Sequence, residues 1–169
     1  MKKLLLFLAT LCCLDAFAQR QESLKSWEFS FGAMLPASRA YDKKDAHYSF
    51  GLGYVWDVDV AFIEARLDHS NRFSGSPTQH YTSFTGGGNY IFINEELWAA
   101  FAGANIGLGV AKVQGVDTKG GFHIGGDIGA LFLRQADVNL DLRMRIIYNT
   151  ADIADSHPFF LGFIAGIHF

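Results

Sequence analysis

From Asp137 to Tyr148 the chain reads D-V-N-L-D-L-R-M-R-I-I-Y, and apolar and polar positions alternate along it. Val138, Leu140, Leu142, Met144, Ile146 and Tyr148 share one parity; Asp137, Asn139, Asp141, Arg143 and Arg145, then Ile147, share the other. Successive side chains of a strand point to opposite faces, so this period predicts a strand whose two faces meet different surroundings. A helix would mix the two sets. The same alternation predicts further strands over about 26–35, 47–56, 60–68, 81–92, 97–110, 120–133 and 158–169.

Two arrangements satisfy such a pattern. In a soluble sheet the charged parity faces water and the apolar parity a core; in a transmembrane barrel the apolar parity faces lipid and the charged parity a lumen. Three features choose the second. The strands number eight, an even count, and their connections alternate between longer polar loops and tight turns. At about ten residues or more they exceed the usual five or six of soluble sheets and match a tilted crossing of the hydrocarbon. Aromatic residues gather near strand ends on the apolar parity, at Trp27, Trp56, Trp98, Phe132, Tyr148 and Phe169, as in the girdles at membrane interfaces. The expected fold is all-β: an eight-stranded antiparallel up-and-down transmembrane β-barrel. A soluble barrel with reversed faces would instead line its cavity with the aromatics.

The N-terminus supports export. Lys2 and Lys3 precede an apolar run from Leu4 to Leu14, then Ala16-Phe17-Ala18 gives the small-x-small pattern of a signal-peptidase site. Residues 1–18 are read as a cleaved signal peptide and 19–169 as the barrel, its N-terminus periplasmic. Cys12 and Cys13 would leave with the signal, so the mature chain would hold neither disulfide nor thiol chemistry. Removing Lys2, Lys3 and Asp15 from 14 basic and 17 acidic residues leaves 12 against 16, a charge of −4, which argues against a nucleic-acid partner.

Signal, eight alternating strands and a final F-L-G-F-I-A-G-I-H-F together resemble the small Gram-negative outer-membrane barrels of the OmpA/OmpX type, over nearly the whole mature chain. In size the chain is also similar to the OmpW family. The resemblance implies a location in the bacterial outer membrane, contact with its lipids and lipopolysaccharide, and recognition by the barrel-assembly machinery through Phe163, Ala165, Ile167 and Phe169. Ile164 stands where that signal often has glycine.

On the inward parity fall Glu28, Glu64, Arg66, Asp68, Asp127, Asp141, Arg143 and Arg145, with Thr85, Asn89 and Asn139. The interior of an eight-stranded barrel is just wide enough for side chains to fill, and buried charges must pair. The expectation is a plugged lumen, a structural or surface-interaction role, a monomer, no cofactor and no enzymatic activity. A narrow conduit for small apolar molecules is the alternative, and would need an apolar inner pocket from Phe62, Leu131, Leu133 and Ile164. His47, His69, His80 and His157 fall where strands meet the longer loops, weak candidates for a metal at the external rim. His69-Ser70-Asn71 resembles the His-x-Ser-Asn of lipid A deacylases, but adjacent residues of a strand face opposite ways. Lys43, Lys44 and Arg39 could attract lipopolysaccharide phosphates; Asp152 and Asp155 are too few for calcium.

Overall fold

A computed structural model describes residues 24–40, 45–58, 60–73, 78–133, 138–153 and 155–169. The expected signal peptide, the mature start at Gln19, and Lys43 and Lys44 lie outside them. Eight strands follow one another: β1 (Leu24–Pro36), β2 (His47–Asp57), β3 (Ala61–Arg72), β4 (Gln79–Asn94), β5 (Trp98–Val113), β6 (Lys119–Phe132), β7 (Asn139–Asn149) and β8 (Phe159–His168). Each pairs antiparallel with the next, and β8 returns to β1 to close a barrel. At the seam Trp27 and Phe169 exchange backbone N–H···O bonds, each 2.9 Å. Closure leaves no sheet edge unpaired, which is what a hydrocarbon surrounding demands.

One end of the barrel carries the first strand's start and the connections that leave Asp57 and Asn94; the other carries those that leave Pro36 and Asn149. At the loop end the strands run further than the apolar alternation does. β3 continues to Arg72 and β4 begins at Gln79, so His69 and His80, expected in a loop, belong to the sheet. Alternation persists there with polar residues: Ser70 and Arg72 are buried inside, while His69 and Asn71 lie outside. The expected contrast between long loops and tight turns is correspondingly weaker, since 114–118 is no longer than 133–138.

Two local departures re-aim side chains. A bulge shifts the β4–β5 register, with Ile91 opposite Phe101 and Ile93 opposite Ala100; such an extra residue bends the strand. Leu133, expected inside, has φ 58° and is half exposed, its N–H donating to Leu97 O at 2.9 Å. That left-handed turn ends the alternation of β6, at a cost of roughly 1–2 kcal/mol for a residue with a Cβ.

The outer wall is apolar. Phe29, Phe31, Leu52, Phe84, Ile124, Leu142, Met144 and Phe163 are among the large hydrophobics that project from it. Aromatic belts bound it. Near the turn end Trp27, Tyr54 and Trp56 form a chain with centroids 5.1 and 4.7 Å apart; at the loop end Tyr48 meets Phe73 at 5.6 Å and Tyr148 meets His157 at 5.7 Å. Inside, apolar clusters occupy both ends: Val55, Phe62, Ile91, Ala99, Phe101 and Leu131 toward the turns, and Met34, Tyr81, Ala111, Val113, Ile147 and Phe160 toward the loops, where Ala40 and Ile153 fold over them.

Candidate functional site: the lumen

Between those clusters the inward parity of β1, β3, β6 and β7 brings five carboxylates and three guanidiniums into one network. Arg143 reaches across the barrel: Nε donates to Asp141 Oδ1 and Nη2 to Asp141 Oδ2, both at 2.8 Å, and Nη1 to Glu64 Oε2 at 2.9 Å. Its Nη2 also lies 3.3 Å from Glu28 Oε1, and its guanidinium carbon sits 5.5 Å from the Phe101 ring centroid, over the apolar cluster at the turn end. Arg145 is forked onto Asp127, Nε to Oδ1 at 2.6 Å and Nη2 to Oδ2 at 2.8 Å, and donates to Asp68 Oδ2 at 3.1 Å. Arg66 donates to Asp68 Oδ1 at 3.1 Å, to Ser30 Oγ at 2.7 Å and to Glu28 Oε1. All eight side chains named from the sequence are buried and joined here. Forked Arg–carboxylate pairs are among the strongest hydrogen bonds a protein makes.

A neutral relay continues toward the loop end. Asn105 Nδ2 donates to Asp127 Oδ2 at 3.0 Å, His123 Nε2 donates to Asn105 Oδ1 at 2.8 Å, Tyr81 OH donates to His123 Nδ1 at 2.9 Å, and Asn149 Nδ2 donates to Tyr81 OH at 3.3 Å. The acceptor-only Asp127 carboxylate fixes the direction of each link, and with it the tautomer of His123. Space for these groups comes from glycine: a Cβ on Gly125 would lie 2.4 Å from Asn105 Oδ1. His123 and His168 are lumen residues that sequence reasoning left unassigned, although both fall on the inward parity. His168 Nε2 lies 2.7 Å from Asp141 Oδ2, and a ligand atom from each of Glu28, Asp141 and His168 lies within 4.8 Å of the others.

The four histidines expected at one rim are divided between the two faces. His47 is buried inside, its Nε2 3.2 Å from Gln79 Oε1. His69 and His80 sit on the outer wall with ring centroids 5.9 Å apart, and His69 Nδ1 is 2.8 Å from Thr82 Oγ1. His157 is in the 150–158 loop, 3.2 Å from Ala151 O. His69 faces out and Ser70 in, so the two form no nucleophile–base couple. Of the residues named for an inner apolar pocket, Phe62 and Leu131 are packed within the turn-end cluster and Leu133 is outside. An apolar depression of about 740 Å³ lies instead against the outer wall, along Ala100, Ala130, Leu142 and Ala165 between Phe92 and Phe31.

The geometry has close structural parallels. Neisserial surface protein A superposes with a TM-score of 0.69 at 14% identity, covering 88% of this chain and 100% of that one. The chain has the fold of the small outer-membrane β-barrels. Ail, the attachment invasion locus protein of Yersinia pestis, solved in complex with the heparin analogue sucrose octasulfate, gives a TM-score of 0.60 at 16% identity, covering 88% and 100% of the two chains. No protein-family model and no curated protein matches this outer-membrane-type barrel in sequence. On the last strand Phe163, Ala165 and Ile167 lie on the outer wall, as does Phe169 just past its end, while Ile164 is buried inside opposite Gly32. A Cβ at position 32 would lie 2.1 Å from Phe163 O, so the glycine of that contact stands on β1 rather than β8.

Proposed function

We propose that the chain is a closed-lumen outer-membrane barrel with a structural or surface-interaction role, exported by its N-terminal signal and acting as a monomer. The turn end faces the periplasm and the loops face outward. The observation that carries this reading is the lumen itself: three guanidiniums bonded to five buried carboxylates, with an apolar cluster at either end. A water-filled path would have to pass both clusters and separate buried ion pairs, at several kcal/mol for each ion left without a partner. In this reading the outward residues of β8, with terminal Phe169, serve as the barrel-assembly signal.

Contact with outer-leaflet lipids is supported by one stripe of the outer wall. Tyr48, Asn71, His80 and Lys112 lie side by side across β2 to β5 in register, beyond the apolar belt. Polar donors and a cation at that height suit lipopolysaccharide head groups, attracted by charge and screened by salt. Ail was solved with a heparin analogue; on the loop side of this chain Arg39, Lys43, Lys44, Arg72, Lys112 and Lys119 are interspersed with Asp42, Asp45, Asp117, Asp152 and Asp155, so the sequence offers no strongly basic face for such a ligand.

Planar-bilayer recording tests the closed lumen. The protein should give no steady conductance. A stable open level for the unmodified chain would overturn the reading and favour a conduit.

A further inference from the structure

The buried network does not balance its charge. With His168 neutral, Arg66, Arg143 and Arg145 stand against Glu28, Glu64, Asp68, Asp127 and Asp141, leaving two negative charges in surroundings where an unmatched ion costs several kcal/mol. Arg72 does not make up the difference, because it is held by Asp45 at the loop end, Nε to Oδ2 at 2.9 Å. The deficit can be placed on named atoms. Among the carboxylates of the network, Glu28 Oε2 and Glu64 Oε1 are buried without a hydrogen-bond donor. Glu64 Oε1 still has the Arg145 guanidinium at 3.6 Å. The three guanidiniums leave Glu28 Oε2 bare: Arg66 and Arg143 both bond its other oxygen.

Glu28 is also the residue that meets Asp141 and His168. One ligand atom from each lies within 4.8 Å of the other two, and all three residues are buried. Room around them is made by glycine, since a Cβ on Gly166 would lie 2.2 Å from Asp141 Oδ2 and 2.9 Å from Glu28 Oε1. We propose that Glu28, Asp141 and His168 form a binding site for one divalent d-block cation of the zinc class at the turn end of the lumen.

Two carboxylates and an imidazole suit such an ion better than magnesium or calcium, which favour oxygen alone. The ion takes the place of the present His168–Asp141 hydrogen bond: the neutral His168 binds through Nε2 as its Nδ1–H tautomer, its one ring proton moving from Nε2 to Nδ1 with none released. Asp141 stays anchored by Arg143 Nε on Oδ1, the kind of outer hydrogen bond that orients a ligating carboxylate. Two positive charges then cancel the two in excess. The site stands whether or not the lumen conducts.

The test is zinc retention by the full-length protein purified in detergent, stripped with a chelator and dialysed against Zn²⁺. About one zinc per barrel is expected for the unmodified chain and for His80→Ala, which removes half of the outer histidine pair. His168→Ala should bind about ten-fold more weakly or worse. Glu28→Gln keeps the shape of the side chain and removes its charge; it should weaken binding likewise, and serves where His168→Ala fails to fold, as judged by its mobility before and after boiling. No zinc on the unmodified protein, equal retention by whichever of the two lumen variants fold, or loss in His80→Ala would overturn the proposal.

Discussion

Arg143 and Met144 are neighbours in the chain and belong to opposite worlds. Arg143 is 2% exposed, turned into the lumen and bonded to Asp141, Glu64 and Glu28. Met144 is 52% exposed on the outer wall beside Phe163 and Ile128. In an ordinary soluble protein the two exposures would be reversed, because hydration favours the ion and burial the thioether. Along β7 the same inversion repeats from Leu140 to Ile146. It follows that the surrounding solvent is apolar and that the middle of the interior, between its two apolar clusters, is polar and held by complementarity rather than by exclusion from water. Transmembrane helices share the outside of this arrangement, whereas the charged inside depends on a sheet closed on itself.

The contrast can be broken from either side. The largest effect should come from the lumen: Arg143→Ala removes a guanidinium from three buried carboxylates and should cost about 3–5 kcal/mol of stability, read by denaturant unfolding of the vesicle-inserted protein. Replacing both members of a pair sharpens the point. Arg145→Met with Asp127→Leu should lose less than Arg145→Met by itself, because Asp127 is then not left buried without the guanidinium forked onto it. Next comes the outer wall, where Met144→Arg puts a guanidinium near mid-strand and should cost about 2–4 kcal/mol. Arginine at 143 or 145 and arginine at 144 would then have opposite signs. Glycine gives the finest comparison. Gly166→Ala, facing inward, would drive a methyl into Asp141 and should cost about 1–3 kcal/mol. At Gly88, facing outward, a Cβ meets nothing within 4 Å, so Gly88→Ala should change stability by no more than about 0.5 kcal/mol.

How much of this was legible follows from what alternation can encode. Period two separates inside from outside, so the eight strands, the outward aromatics and all eight lumen charges could be read from parity. Which charge meets which could not. Arg143 and Glu64 are 79 residues apart and pair across the barrel, a distance set by closure and register that no single strand reports. Strand ends at the loop side were read short, because Ser70, Asn71 and Arg72 keep the period but lose the apolar signal. Leu133 broke the other way: its apolar side chain continued the pattern on paper while a left-handed backbone turned it out. His123 and His168 were on the correct parity throughout. Only the structure shows that they extend the network, one toward Tyr81 and the other onto Asp141.

The central claim is that hydrocarbon is the solvent of the outer wall, and refolding tests it directly. The denatured protein is diluted into buffer with and without phospholipid vesicles, and each sample is run on a gel unheated and boiled. A mobility that differs between unheated and boiled samples with vesicles, and does not differ in lipid-free buffer, is the result expected. A folded, soluble and monodisperse species without lipid or detergent would contradict the account, since Phe31, Leu142 and Met144 would then have to be inside.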